Sequence, residues 1–401
     1  MGSHQRRPYG LDRSHSRLDR VALGAAAREL LPGDVLRART LVIMNATAAK
    51  VVSPATAVRP RGIAPVWAGA AVAFLLGSIV IGVAVGPIDL GLTGISTSLG
   101  ERLRVPGVSS SLNATEESIL WEIRMPRVVL AALVGGMLSL AGATYQGVFR
   151  NPLVDPYLLG VAAGAGLGAT LAIAYLPDGL RGQQALPAAA FVGGALAVFL
   201  TYSVGRSTGR GRDTTTLVLA GVTVASFFTA LQTFVQQQNA DTLQQVYTWI
   251  LGSIPSSGWS DVVLVLPYVA LATVVILVYR RVVDVLSLGD EEATSLGVDV
   301  RRIRLVLVVA ATVGTAAAVA ICGLIGFVGI IVPHAIRMVA GVGYRALLPL
   351  SVIVGGGFLV LADVIARTAL SPAEIPLGIV TAFFGAPFFA LVLRTSRGGA
   401  A

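Results

Sequence analysis

Six polar side chains, Gln146, Asn151, Asp155, Asp363, Arg367 and Glu374, stand inside or at the ends of long apolar runs. An ionisable group in such a run is costly to bury and is read first as functional. Most of the six fall at the ends, where snorkelling or hydration relieves that cost, so the pattern does not favour an ion or proton relay through the middle of a bilayer. Lys50 is the only lysine and no glycine-rich loop precedes it. The phosphate-cradling G-x-x-x-x-G-K-[ST] pattern therefore cannot occur, and the chain cannot itself be the ATPase of a larger machine. The sequence has no H-E-x-x-H, no G-x-S-x-G and no Cys/His cluster, and the single Cys322 excludes an intrachain disulfide or a Cys-based zinc site. His4 and His15 fall in the N-terminal tail; His334, in Val332-Pro333-His334, reads as a packing residue rather than a metal or haem ligand. No catalytic, cofactor-binding or metal-ligating set is expected.

The elements that carry these residues follow from composition. Of 401 residues 55% are hydrophobic and 13% charged, with a mean hydropathy of +0.78, which excludes a soluble domain, a disordered chain and a disulfide scaffold. With 46 glycines and 6% aromatics, close-packed helices fit better than outer-membrane strands with aromatic girdles. Apolar runs of roughly 20 residues, enough to cross a bilayer, recur near 65–86, 128–147, 157–176, 187–204, 215–235, 262–279, 304–322, 325–340, 347–366 and 377–393. An all-α polytopic membrane protein of about ten transmembrane helices is predicted, the eighth short and broken by glycine. With the N-terminus inside, 13 of the 19 arginines after residue 64 fall on the cytoplasmic side and 6 on the other. That positive-inside bias favours ten spans and cytoplasmic termini. Glycines at Gly160, Gly164 and Gly168, and at Gly323, Gly326 and Gly329, predict close helix approach.

The net charge of +9 resides mostly in residues 1–64, which carry 11 Lys+Arg against 4 Asp+Glu. This basic leader is expected to be disordered and to hold that end at the cytoplasmic lipid surface rather than bind nucleic acid. Met44 opens a more ordinary leader, so part of the first 43 residues reads as a tag remnant or an over-extended start. One permease domain at 65–395 and a short cytoplasmic tail at 396–401 complete the organisation.

Several motifs resemble the FecCD family, permease subunits of type II ABC importers for vitamin B12, ferric siderophores and haem. They are Arg124-Met125-Pro126-Arg127; the stretch from Gly142 to Gly160, with Gln146, Arg150, Asn151, Pro152, Asp155, Pro156 and Gly160; Trp249-Ile250-Leu251-Gly252-Ser253; Leu288 to Val298; Gly326 to His334, with Pro333; and Glu374-Ile375-Pro376 through Gly385 to Phe388. They run in the family's order over about 65–395.

The resemblance implies the BtuC-like permease fold with ten spans, a homodimer or a pairing with a related permease, two ABC ATPase subunits that hold ATP-Mg, an extracytoplasmic binding protein, and placement in the bacterial cytoplasmic membrane. No cofactor is expected in this chain. By the same resemblance Arg124, Arg127 and Arg367 dock acidic residues of the binding protein. Leu288, Gly289, Asp290, Glu291, Leu296, Gly297 and Val298 form a coupling helix for the ATPase. Acids at its start favour initiation and Gly297 can end it. Thr214 and Thr215 are gate candidates, and equally could hydrogen-bond local backbone. The expected function is import of a metal chelate by alternating access, with a slight preference for cobalamin. The competing classes are an ion-coupled secondary transporter, which should show paired carboxylates or broken helices at mid-membrane, and a haem or metal sensor.

Overall fold

The computed structural model describes residues 64–177, 184–207, 214–254, 258–341 and 343–397, the side chains at 214, 215, 393 and 395–397 excepted. The basic leader before Ala64 and the last four residues of the tail lie outside the described residues. Ten helices correspond one for one to the ten apolar runs. Seven are long and apolar enough to cross a membrane and three are shorter. In chain order the helices are α1 (Pro65–Ala84), α2 (Leu92–Arg102), α3 (Ala114–Ser118), α4 (Met125–Phe149), α5 (Val161–Tyr175), α6 (Ala185–Ser207), α7 (Thr214–Gln238), α8 (Leu243–Ile250), α9 (Trp259–Val278), α10 (Arg280–Leu286), α11 (Asp290–Ser295), α12 (Val300–Cys322), α13 (Val328–Ala340), α14 (Tyr344–Thr368) and α15 (Leu377–Arg397).

The centre is α4. It packs against α14, α12, α13 and α9, while α5, α6 and α7 pack on one another and meet the rest through α12. Almost every residue of α4 is buried, whereas α1, α6, α7 and α9 keep wide apolar faces exposed, as helices facing lipid do. Leucine gains nothing by leaving lipid for a helix interface, so contact must come from close packing and polar ties. Glycine supplies the packing. A methyl group on Gly142 of α4 would collide with the Gly329 carbonyl of α13, and one on Gly164 of α5 with the Gly193 carbonyl of α6. Of the glycine triplets singled out in the sequence, Gly164, Gly168, Gly323 and Gly329 make such approaches, Gly323 against the Trp249 carbonyl. Gly160 and Gly323 also take positive φ at helix ends, and no atom lies near a methyl placed on Gly326.

The short eighth run becomes α13, only 13 residues long. Phe327 enters it with φ of 68°, a conformation a bulky residue adopts only under tertiary constraint. Its ring lies against Gly385 of α15, where any side chain would strike it. Helix α4 starts ahead of the apolar run: a capping box between Asn113 and Glu116 opens α3, and a wide π-type turn at Ile119–Arg124 feeds directly into α4. The short helices α2, α3, α8 and α10 were not expected from the sequence, because their polar or Ser/Thr-rich residues give no long apolar signal.

If backbone approach at Gly142 holds α4 to α13, Gly142→Val should overpack the contact. An expected loss of about 1–3 kcal/mol or more would appear as a lower apparent Tm of the detergent-purified protein, with Gly69→Ala, which meets nothing within 4 Å, unchanged.

Candidate functional site

Two polar clusters occupy the opposite ends of α4. At its N-terminal end Pro126 stands where the π-type turn passes into α4, and Arg124 and Arg127 flank it. Arg124 donates through Nη1 to the carbonyls of Val83 (2.9 Å) and Ala84 (3.3 Å) and through Nη2 to that of Ile88 (2.6 Å). It therefore satisfies acceptors that the end of α1 leaves without a helical donor. Arg127 spends two edges of its guanidinium on two carboxylates. Nε and Nη2 reach Asp363 of α14 at 2.9–3.2 Å, and Nη1 and Nη2 reach Glu374 at 2.9 Å each. Arg367, one turn beyond Asp363, pairs with it at 3.5 Å and donates to the Gly82 carbonyl of α1. The three arginines that the resemblance assigns to docking are thus brought together, and they are 4%, 7% and 4% exposed. Each already holds partners within this chain.

Glu374 lies in the loop between α14 and α15, and the hydrogen bonds from Arg127 hold its carboxyl below the usual carboxylate range. Its contribution to stability is complete above the ordinary value of 4.5 and is lost as pH falls through the lowered folded value. Pro376 follows, its carbonyl accepting from Ile379 and Val380 as α15 begins, while Leu377 and Gly378 donate to Gly252 and Leu251 after α8.

At the other end Arg150 closes α4 in left-handed backbone, and Asn151 accepts from the Leu153 amide to turn the exposed loop at Pro152. Asp155 caps the single turn Pro156–Leu159 by accepting from the Tyr157 amide at 2.8 Å, and Gly160, at φ of 85°, ends it. Gln146 donates to the Gly329 carbonyl (3.0 Å) and accepts from Arg337 of α13 (2.7 Å). Arg337 also donates to the Tyr344 hydroxyl, and Asp284 of α10 accepts from the first amides of α14.

Within the polar segment Leu288 to Val298, Asp290–Ser295 fold as α11. Asp290, Glu291 and Glu292 fill its first turn, favoured by the helix dipole. At its other end Val298 donates to the Ala293 carbonyl and Gly297, at φ of 82°, to that of Thr294, the paired bonds of a Schellman cap. Asp290 receives Arg304 of α12 at 2.8 Å and Arg150 at 3.5 Å, so this helix is tied to both α12 and α4. Ala293 faces inward, while Leu288 and Leu296 are 66% and 65% exposed, an apolar pair presented outward on a charged segment. Helix formation and termination at Gly297 were legible in the sequence. The Asp290–Arg304–Arg150 tie was not, because no local spacing joins those positions.

Pro333 stands inside α13, and His334 meets the rings of Phe388 and Phe389 of α15 with centroids at 5.8 and 6.4 Å. Thr214 and Thr215 open α7, but their side chains lie outside the described residues.

A helical bundle with this many apolar helices, and with the charged ties of its described residues at its ends, is a multi-pass membrane protein. The FecCD transport family model matches residues 73–395. The chain shares 44% identity with a cobalamin import system permease of Halobacterium salinarum, over 70% of this chain and 74% of that one. An uncharacterized ABC transporter permease of Bacillus subtilis is 39% identical over 81% of this chain and 93% of its own length. An iron(3+)-hydroxamate import permease of Bacillus subtilis is 36% identical over 71% and 73% respectively. A solved structure, described as an inward-facing conformation of a transporter assigned to the metal-chelate ABC type, aligns with TM-score 0.70 and 30% identity over 83% of this chain and all of that one. The chain belongs to the FecCD transport family, whose members related to it are ABC transporter permeases.

Removing one member of a buried ion network leaves its partners uncompensated. Asp363→Ala strips Arg127 of one carboxylate and Arg367 of its acid, and is expected to cost about 3–5 kcal/mol. Glu374→Ala, at a half-exposed position, should cost under about 1 kcal/mol. Thermal unfolding in detergent would check the ranking. Lowering the pH below 4.5 should narrow the gap between the unmodified protein and Glu374→Gln, since protonation removes the same interaction.

Proposed function

We propose that this chain is the membrane-spanning permease of an ATP-driven importer that carries a metal chelate into the cytoplasm. The observation that carries the reading is the pairing of two unlike ends on one buried helix. One end of α4 holds the guanidinium cluster and the other is tied through Arg150 and Asp290 to a short helix that offers Leu288 and Leu296 outward. An outward apolar pair on a rigid, capped helix suits insertion into a cleft of a separate ATPase, where ATP and Mg²⁺ would be held. The α11 end is then cytoplasmic, as are both termini, in agreement with the arginine bias. The arginine end faces outward, where Arg124, Arg127 and Arg367 meet acids of a binding protein that delivers the chelate. A homodimer would enclose the path between copies, with Thr214 and Thr215 near its cytoplasmic exit.

The resemblance to a cobalamin permease at 44% identity supports a cobalamin-type cargo over a ferric siderophore or haem. Reconstitution of the chain with its ATPase and binding protein in liposomes tests this directly. Labelled cobalamin should accumulate only with ATP and both partners, and accumulation of ferric hydroxamate or haem instead would reassign the cargo. Uptake driven by an ion gradient without the ATPase would overturn the importer reading.

The coupling assignment has its own test. Leu296→Asp, alone or with Leu288→Asp, should leave the permease monodisperse while ATP-dependent uptake falls by about tenfold or more, because a charge enters an apolar contact. Uptake retained at the unmodified rate would remove α11 from the ATPase contact.

A further inference from the structure

The two carboxylates held by Arg127 are not equivalent. The side chain of Asp363 is 2% exposed and that of Glu374 47%, although both accept at 2.9 Å. A guanidinium presents two edges suited to bidentate carboxylate binding. Here the Nε–Nη2 edge is taken by Asp363 and the Nη1–Nη2 edge by Glu374. An acid arriving from another protein therefore finds no free bidentate edge on Arg127. It must either stay out or take the place of one of the two.

Only one replacement is inexpensive. Expelling Asp363 would leave a buried carboxylate beside Arg367 with half its compensation gone. Expelling Glu374 returns a half-exposed carboxylate to water, and the incoming acid restores the same two hydrogen bonds. The neighbouring arginines offer no such exchange, since Arg124 is held by three backbone carbonyls and Arg367 by the Gly82 carbonyl and Asp363.

We propose that Glu374 is the exchangeable arm of a latch: it occupies the edge of Arg127 that a carboxylate of the docking protein takes, and its departure frees the loop that leads into α15. This deepens, and rests on, the reading that Arg127 receives the binding protein. The loop from Leu370 to Pro376 is exposed apart from its last two residues and spans from the end of α14 to the start of α15. Besides the Glu374 clamp it is held by the Ile375 amide donating to Ala366, and α15 begins on the Gly252 and Leu251 carbonyls. Exchange at Arg127 thus loosens one of the ties that fix the position of α15 against α4 and α14. Docking becomes a competition within the permease as well as an attraction between proteins.

The test uses the assembled transporter in nanodiscs and the purified binding protein, with Kd measured for Glu374→Gln and Arg127→Gln. Glu374→Gln keeps the size of the side chain while surrendering the charge that competes for Arg127, so docking should tighten about tenfold, within the span of ordinary coupling energies. Arg127→Gln should weaken docking. If Arg127→Gln weakens docking while Glu374→Gln leaves it unchanged or weaker, the docking reading stands and the latch falls. If neither substitution changes Kd, Arg127 is not the docking contact and both fall together. Should Arg127→Gln fail to purify as a monodisperse complex, Arg127→Lys replaces it: a lysine keeps the charge but cannot serve two edges, so weaker docking is again expected and unchanged docking counts against the docking reading.

Discussion

Hydrocarbon gives helices no reason to associate through leucine, and this single constraint orders the rest of the molecule. Contacts must be made where backbones can touch or where polar groups can be satisfied between helices. Both devices converge on α4. Along its length the absence of a side chain at Gly142 lets α13 approach to backbone distance. The Tyr145 hydroxyl meets Thr312 of α12 at 2.7 Å, and Gln146 bridges to the Gly329 carbonyl and to Arg337. At its N-terminal end Arg127 ties it to α14 and to the loop before α15. A helix so fixed on every side behaves as a strut about 37 Å long at 1.5 Å per residue.

The ends of that strut are chemically unlike. The Arg127 cluster is buried apart from Glu374 and closes on itself, so that each of its charged side chains already holds partners within the chain. The Asp290 hub is partly exposed, and the two leucines that flank its helix are turned outward. A buried, compensated cluster can respond to a partner only by rearranging, and an exposed apolar pair only by being covered. Both responses act on elements that α4 holds in common, because Arg150 caps its end and Arg127 lies in its first turn. The bundle therefore offers a short mechanical route between its two faces.

Much of this was legible in the sequence. All ten long elements could be placed from apolar run length, because a bilayer-spanning helix advertises itself by composition. The cap at Gly297 and the acidic first turn of α11 followed from local rules. The family motifs marked Arg127, Gln146, Asp290 and Gly385 but did not say what each one touches. The Arg127–Asp363 pair joins positions 236 residues apart, and Arg150 and Asp290 come together only because two helices share a bundle end. Nor did periodicity reveal α2, whose residues Leu92 and Leu99 are exposed among serines, threonines and glycines. Burial is the property that one-dimensional reading missed most: arginines expected at the surface for docking are folded inward.

That inward turn also separates arginines required by geometry from those present by composition. All but one of the 30 basic residues are arginine, so arginine at a given position is by itself uninformative. At Arg127 a point charge could not hold Asp363 and Glu374 on two edges of one plane, and at Arg337 it could not donate to Gln146 and Tyr344 while lying 5.2 Å above the tyrosine ring. These positions need a planar, delocalised cation with several directed donors, and that need comes from the bundle ends they join. At Arg127 the hydrogen bonds that hold the helices together are the same ones on which the proposed docking would act.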